Sequence, residues 1–424
     1  MGDFSWPSGL PEQIERWPHA DIRKWQTSRL REVVYQAREV PFYRDLWSAA
    51  GVPEFLTLDD FLRFPVISKR IVIAAGDTWH SSTPGRVAFS TRGTSGEPLL
   101  VWLTEQEAEV YIAPTMRGFR WAGFQALQTA LLMSPVWHRL AACESHAIVR
   151  LGGHCAFFWG SLGIDNMNAF LETLVGVRPE FVTTTAPFLL ALVRRFDELG
   201  QSLPDLFRSV RSIVVVGLPL TTYIREHLRD RLGVDDVFER SGTQEGAALD
   251  ECRHHNTPHA HEDVCYLEVL DGAGRAALPG ERGRLVVTKL TAAGSIFIRY
   301  DTGDIAAFSL GPCPCGCEFR RLKIFGRPES SVKVGSRVIT AYDVRDFIER
   351  NPELIGRNIL LVREHTPVLN VAIEGTSRHG EELARGLRDH FGIEDVRISW
   401  LGTLRVTWGF RQVVEPSEIG LEKR

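Results

Sequence analysis

The stretch RSIVVVGLPLTTYIREHLRDRLGVDDVFERSG, residues 211–242, sets the fold class. Its first seven residues are a β-branched apolar run closed by Gly217, the pattern of a buried strand. TTYIREHLRDRLG, residues 221–233, has helical spacing and stops on Gly233. DVFER, residues 236–240, returns to a strand pattern. Strand, helix and strand in that order predict a parallel sheet with crossover helices, because parallel strands need a connection long enough to recross the sheet.

Upstream, APFLLALVRRFDEL (186–199) reads as a helix ended by Gly200, and DIRKWQTSRLREVVYQARE (21–39) as a helix with Asp21 placed to cap it. From about residue 263 the rhythm changes. VCYLEVLD, GRLVVTKL and SIFIRYDTGDIAAFSL are strand-like and separated by Gly-rich turns. A third zone begins near Gly326. There SVKVG, NILLVRE, LNVAIEG and VRISWLG read as strands, AYDVRDFIER and GEELARGLRDHFG as helices. That alternation is a compact α+β unit of small-domain size.

The chain has 424 residues, enough for two or three domains and a large core. A formal net charge of −4 gives no reason to expect a nucleic-acid or acidic-membrane partner. MGDFSWPSGLPEQIERW has neither a basic start nor an apolar core, so no signal peptide is expected and the expected location is the cytoplasm. No apolar run approaches the length of a membrane span. The basic residues are mostly Arg, so ammonium groups for catalysis are scarce.

Cys use is uneven. Cys313, Cys315 and Cys317 crowd into CPCGCEF, and ECRHHNTPHAHED upstream carries Cys252, His254, His255, His259 and His261. With no export signal, clustered Cys point to metal before disulfides. Thiolates and an imidazole from two loops suit a tetrahedral structural zinc. The expected ligands are Cys252, His259, Cys313 and Cys315, with Cys317 and His261 in reserve. The competing reading is a solvated His-rich turn beside unrelated thiols. A closed four-ligand site has no open position, so it would staple loops and not activate water. Cys265, alternating inside VCYLEVL, reads as a buried strand thiol.

Several further segments carry the chemistry. STRGTSGEP (90–98) lies between strand-like runs and offers backbone N–H and hydroxyl donors suited to phosphate oxygens. SGTQEG places Glu245 beyond the carboxyl end of strand 236–240, where open parallel sheets keep their ligands. IRYDTGDIA reads as a Thr-Gly-Asp turn holding Asp304, and FGRPES brings Arg327.

Taken in order, TRGTSGEP, SGTQEG, IRYDTGD and FGRPESSVKVGSR resemble the adenylate-forming acyl-CoA synthetase superfamily, and most closely its phenylacetate–CoA ligase branch. The resemblance runs almost end to end, from VPFYRDLWSAAGV and FPVISKR to CPCGC. It implies an α/β fold with a large multi-sheet N-terminal adenylate-forming domain, residues 1–325, containing a zinc-binding insertion. A small, mobile α+β C-terminal lid domain would follow, residues 326–424. Thr91, Arg92, Gly93, Thr94, Ser95 and Gly96 would wrap the ATP phosphates, and Glu245 would hold Mg²⁺, a hard cation suited to carboxylate. Glu239, Arg240, Ser241 and Gly242 would line the adenine. Asp304 would accept from the ribose hydroxyls, with Arg327 beside the same sugar and Glu329 at the hinge. The Cys/His set matches a metal-binding feature of the branch.

The implied reaction has two halves. An aromatic carboxylate attacks the ATP α-phosphate and releases pyrophosphate, and the thiol of CoA then displaces AMP from the acyl-adenylate. A homodimer is common among such relatives.

The chain departs from the pattern in places. Glu97 stands where the phosphate loop usually has Lys, and Arg92 is placed to return a cation. The lid segment TLRVTWGFRQVVE has Gly409 or Phe410 at the position of a Lys that bridges carboxylate and α-phosphate. Arg411 is the nearest source of positive charge, although a planar guanidinium does not replicate an ammonium. Ser241 replaces an adenine-stacking Tyr, and Leu218 an acid. These losses leave two alternatives open. One is a specialised-metabolism relative whose acceptor is an amine or carrier protein, or which activates nitrite to diazotise aryl amines. The other is a non-catalytic nucleotide- and zinc-binding homologue. Trp137, Phe157, Phe158 and Trp159 are apolar candidates for the acid pocket.

Overall fold

In this computed structural model residues 10–418 are described, apart from 56, 83–84, 86, 92–96, 134–138, 159–165, 218, 292, 364–367, 377–378, 403–412 and 416–417. The 211–242 stretch folds as its pattern predicts. Strand Ser212–Val216, helix Thr222–Leu232 and strand Asp236–Gly242 form a crossover, with the two strands parallel and Val216 level with Arg240. Thr221 caps the helix by accepting from Ile224 N–H at 3.1 Å, and Gly233 ends it in the left-handed conformation, φ 69°.

These strands belong to a seven-stranded sheet. In spatial order it runs His259–Ala260, Ala248–Asp250, Asp236–Gly242, Ser212–Val216, Phe181–Thr185, Thr129–Leu132, His154–Phe157. The last five are mutually parallel and the first two antiparallel, so the parallel carboxyl ends share one edge of the sheet. One face packs on helices Met167–Val177 and Ala186–Glu198, the other on Ile112–Trp121 and Arg139–Arg150.

A second sheet has five strands. Tyr300–Phe308 is its spine, paired with Ile67–Ser68, Gly283–Lys289 and Leu322–Gly326, while Cys265–Leu270 lies outside Gly283–Lys289. The largest apolar core sits between this sheet and the N-terminal helices, including Trp47, Phe61, Phe64, Trp79 and Tyr300. A separate hairpin, Val87–Ser90 with Leu100–Leu103, brings up residues 91–99.

Beyond Gly326 the chain forms its own sheets. Ser331–Val334 pairs with Arg337–Thr340, and a four-stranded sheet runs Val396–Leu401, Leu369–Glu374, Ile359–Val362, Val413–Val414. Helices Ala341–Ile348 and Gly380–Phe391 cover them around a core that includes Val344, Ile348, Leu361, Ile373 and Leu387. No helix among the described residues is long and apolar enough to cross a membrane.

Two local expectations are corrected. Asp21 does not cap the first long helix, which spans His19–Ala37 with Pro18 before it. It sits in the first turn, where its charge favours the helix N-terminus, and pairs with Lys24 at 2.8 Å. Nor is Thr302-Gly303-Asp304 a chain reversal. It is a kink inside strand Tyr300–Phe308, made by Gly303 at φ 76°, with the pairing register shifting on either side. Pairing on both flanks holds the chain extended through a sequence that alone reads as a turn.

Candidate active site

Strand 236–242 runs past the end of its parallel neighbour and reverses over residues 243–247 into Ala248–Asp250. Thr243 N–H donates to Ala247 O at 3.0 Å, and Ala247 N–H to Thr243 Oγ1 at 3.3 Å. A side chain at Gly242 would put Cβ 2.3 Å from Ala247 O, so the reversal requires glycine there. The tip carries Glu245, 7% exposed.

The kink in the second sheet meets this tip. The Tyr300 and Thr243 hydroxyls lie beside the Glu245 carboxylate. Asp304 lies alongside, its N–H donating to Thr302 Oγ1 at 3.1 Å and its Oδ1 accepting from Arg327 Nε at 3.0 Å. Burial pushes the Glu245 carboxyl above its ordinary range and nearby Asp304 adds to the shift, while Arg327 opposes it. Burial raises Asp304 too, against the pull of Arg327. Two buried carboxylates with one guanidinium between them form a corner short of positive charge, and its hard oxygen donors suit a divalent cation.

The 90–98 segment joins the two strands of the hairpin in sequence, and only its ends are described. Thr91 and Leu99 close its base, with Thr91 N–H donating to Leu99 O at 2.8 Å and Leu99 N–H to Thr91 Oγ1 at 2.9 Å. Thr91 therefore shapes the loop with its oxygen. Arg92, Gly93, Thr94, Ser95 and Gly96 lie outside the described residues, as do Leu218, Gly409, Phe410 and Arg411.

The four residues expected at the adenine divide. Glu239 is buried and accepts from Leu220 N–H at 2.9 Å and Lys323 Nζ at 3.1 Å. Arg240 points inward to Asp250 at 3.2 Å and Glu144 at 3.6 Å, with its guanidinium 5.1 Å over the Phe119 ring. These side chains hold the strand in place, which leaves ligand contact to the backbone and to Ser241 and Gly242. The Ser241 hydroxyl is buried with no hydrogen-bond partner among the described residues. Phe157 ends its strand at the same edge and is half exposed. Phe158 packs edge-on against Phe170 at 5.9 Å, a core position. Trp137 and Trp159 lie outside the described residues.

The metal expectation selects four residues and the structure assembles the same four. Ligand atoms of Cys252, His259, Cys313 and Cys315 all lie within 4.8 Å of one another. The two sulfurs of Cys252 and Cys313 are 3.6 Å apart, and Cys315 Sγ is 3.4 Å from His259 Nε2. His259 Nδ1 is 3.1 Å from Phe319 O, so its N–H is placed to donate there and Nε2 is left to ligate. Three thiols and one correctly turned imidazole fit a structural zinc. The reserves take other work. His261 lies between Asp250, 2.8 Å from Nε2, and Arg117, 2.8 Å from Nδ1, with Trp121 stacked on its ring. Cys317 is buried with Ile14, Ile22 and Phe319.

Sequence reasoning passed over Tyr300 and Lys323. Each sits in an apolar strand run, and its polar partner comes from more than fifty residues away.

No family model matches the sequence. The curated phenylacetate–coenzyme A ligase of Aromatoleum evansii is 26% identical over 397 residues, covering 88% of this chain and 87% of that one. Its namesake from Thermus thermophilus is 27% identical over 379 residues, covering 83% and 80%. Among solved structures, 2-hydroxyisobutyryl-CoA ligase in its postadenylation state superposes with a TM-score of 0.82 at 19% identity, covering 96% of this chain and 94% of that one. The same ligase in its thioesterification state gives 0.65 at 19% identity over the same shares. The chain thus has the fold of the adenylate-forming ligases, and along most of its length it is similar in sequence to the phenylacetate–coenzyme A ligases.

Proposed function

We propose that this protein is an ATP- and Mg²⁺-dependent ligase that activates an aromatic carboxylic acid as its acyl-adenylate and passes the acyl group to CoA. The meeting of Glu245, Tyr300, Asp304 and Arg327 at one sheet edge carries the reading, supported by the sequence similarity to phenylacetate–CoA ligases. Mg²⁺, held by Glu245, would neutralise phosphate charge as the α-phosphorus is attacked. Asp304 would accept from the ribose hydroxyls, and Arg327 would orient Asp304. The Ser241 hydroxyl offers a further donor, and residues 91–96 would supply those for the phosphates. Of the expected pocket aromatics, Phe157 is the described one left half exposed and would meet an aryl acid. Zinc at Cys252, His259, Cys313 and Cys315 would be structural, since the protein fills all four positions.

The test is pyrophosphate–ATP exchange over a panel of aryl acids, followed by CoA consumption. Exchange with at least one acid, and CoA-dependent AMP release, are expected. No exchange with any acid would overturn the proposal. The sequence holds no Lys between Lys333 and Lys423, which favours a second reading in which the activated group or the acceptor is unusual. Exchange without CoA consumption would indicate an amine or carrier protein. AMP release that needs nitrite and an aryl amine would indicate diazotisation.

Residues 326–424 are proposed to act as the lid. Arg282 donates to Asp343 through both Nη atoms at 2.7 and 2.6 Å, Arg194 to Glu374 at 2.7 Å, and Thr221 Oγ1 to Glu349 at 2.6 Å. The higher TM-score against the postadenylation state supports an arrangement nearer to that pose. Glu349 is fully buried at this seam, and burial pushes its carboxyl up to about 7, with Arg345 and the Thr221 hydroxyl opposing and Asp346 adding. Undocking would return it to its ordinary value of 4.5. A raised value means the docked pose gains stability from proton uptake, fully below the ordinary value and not at all above about 7. Proteolysis between the two units should therefore quicken as pH rises from about 6 to about 8. Glu349→Gln should remove that dependence, and a dependence left intact would refute the assignment.

A further inference from the structure

We propose that Lys289 and Glu107 form a buried positioning pair that fixes the phosphate-loop hairpin and the Glu245 turn to each other. The inference rests on the functional reading above and adds two residues that touch neither nucleotide nor metal. Lys289 closes strand Gly283–Lys289 and is fully buried, with Nζ 2.7 Å from Glu107 Oε1 and donating to Ser295 O at 2.7 Å. A buried ammonium is stable only with such partners.

Each partner belongs to a different segment of the site. Glu107 lies in helix Glu105–Val110, which starts directly after the hairpin's second strand. Its Oε2 accepts from Thr104 N–H at 3.1 Å and its Oε1 from Thr291 hydroxyl at 2.7 Å. Ser295 clamps the same strand, exchanging bonds with Trp102: its N–H donates to Trp102 O at 2.8 Å, and its Oγ accepts from Trp102 N–H at 2.8 Å. The Lys289 stem lies under the Glu245 turn. A Cβ at Gly246 would fall 2.8 Å from Lys289 Cγ and 3.0 Å from Tyr111 hydroxyl. Lys289 is two residues beyond Val287, the strand partner of Tyr300, whose hydroxyl lies beside Glu245. Lys289 therefore sits where the base of the hairpin, the floor of the turn and the Tyr300 strand converge.

The pair uses charge where an apolar contact would fill the same space. Its geometric advantage is direction: Nζ is drawn at once towards helix 105–110 and towards Ser295, so the stem cannot slide under Gly246. Removing Lys289 alone leaves a buried carboxylate and threatens folding, so the informative variant changes both. Lys289→Met with Glu107→Gln keeps the volume: the new amide oxygen can accept from Thr104 N–H, and its NH2 can donate to the Thr291 hydroxyl.

The double variant should unfold cooperatively. Amide hydrogen exchange at residues 99–104 and at 243–247 should both speed up by about tenfold or more, with the C-terminal unit unchanged. Mg·ATP should bind about tenfold more weakly than to the parent, with the KM for the acid little altered, and Lys289→Arg should restore part of the loss. Unchanged protection at both segments, or faster exchange spread evenly through the chain, would overturn the pair's positioning role. A parent protein that binds no Mg·ATP would count against the functional reading instead, and the exchange result would still decide the coupling.

Discussion

Glu245→Gln is expected to lower pyrophosphate–ATP exchange by about a hundred- to a thousand-fold while leaving the fold intact or slightly firmer. The carboxylate lies beside Tyr300 and Thr243 in a buried corner where Asp304 adds a second negative charge. Both acids are pushed above their ordinary values, so in the absence of a cation the folded protein bears part of the cost of keeping them ionised. Glutamine preserves the shape and removes one charge. What is lost is a hard anionic oxygen for Mg²⁺, at the point where phosphate charge must be neutralised. The pH profile gives a second signature. An acid raised on folding contributes stability that is complete below its ordinary value and fades as pH rises through the folded one. The parent without nucleotide should therefore lose stability with rising pH through that interval, and Glu245→Gln should lose less. Exchange measured at saturating Mg·ATP, beside thermal unfolding at several pH values, checks both. Exchange within about threefold of the parent would remove Glu245 from the metal role.

The crossover at 211–242 was legible because its signals are local: a β-branched run, helical spacing, and Gly233 at the helix end. Glu245 was legible for a related reason, since a residue just beyond a parallel strand's carboxyl end is placed by topology before any contact is known. Asp304 was found but its backbone misread, because Gly303 at positive φ has the same local look in a turn and in a kinked strand. Only pairing to 283–289 and 322–326 separates the two, and that pairing is non-local. The metal set shows the same boundary. Spacing gathers Cys252, His259, Cys313 and Cys315, yet preferring His259 over His261 depends on Asp250 and Arg117 occupying both nitrogens of His261. Lys289 is the extreme case. In GRLVVTKL it reads as the polar end of a strand, and its burial is permitted by Glu107, 182 positions earlier.

Cys313→Ser should abolish metal binding, reducing about one zinc per chain to near none, and should lower the unfolding temperature by about 5–10 °C. The argument starts from what the four ligands join. Cys252 follows strand Ala248–Asp250, the returning arm of the hairpin that carries Glu245. His259 is in the next strand, and Cys313 and Cys315 lie on the connection between Tyr300–Phe308 and Leu322–Gly326. A cation bonded to all four would fasten the outer edge of the parallel sheet to the sheet that supplies Tyr300 and Asp304. Around the ligands Trp121 lies beside His259, and Cys317 and Phe319 meet Ile14 and Ile22, while Leu249 and Ala260 reach the main core. Loss of the metal should therefore loosen residues 243–262 first, seen as faster amide exchange there than in the central parallel strands, and pyrophosphate exchange should fall with it. Chelation of the parent should reproduce the effect, and zinc should reverse it. Full metal content in Cys313→Ser would refute the ligand set. Metal loss with unchanged exchange at 243–262 would keep the site and refute its hold on Glu245.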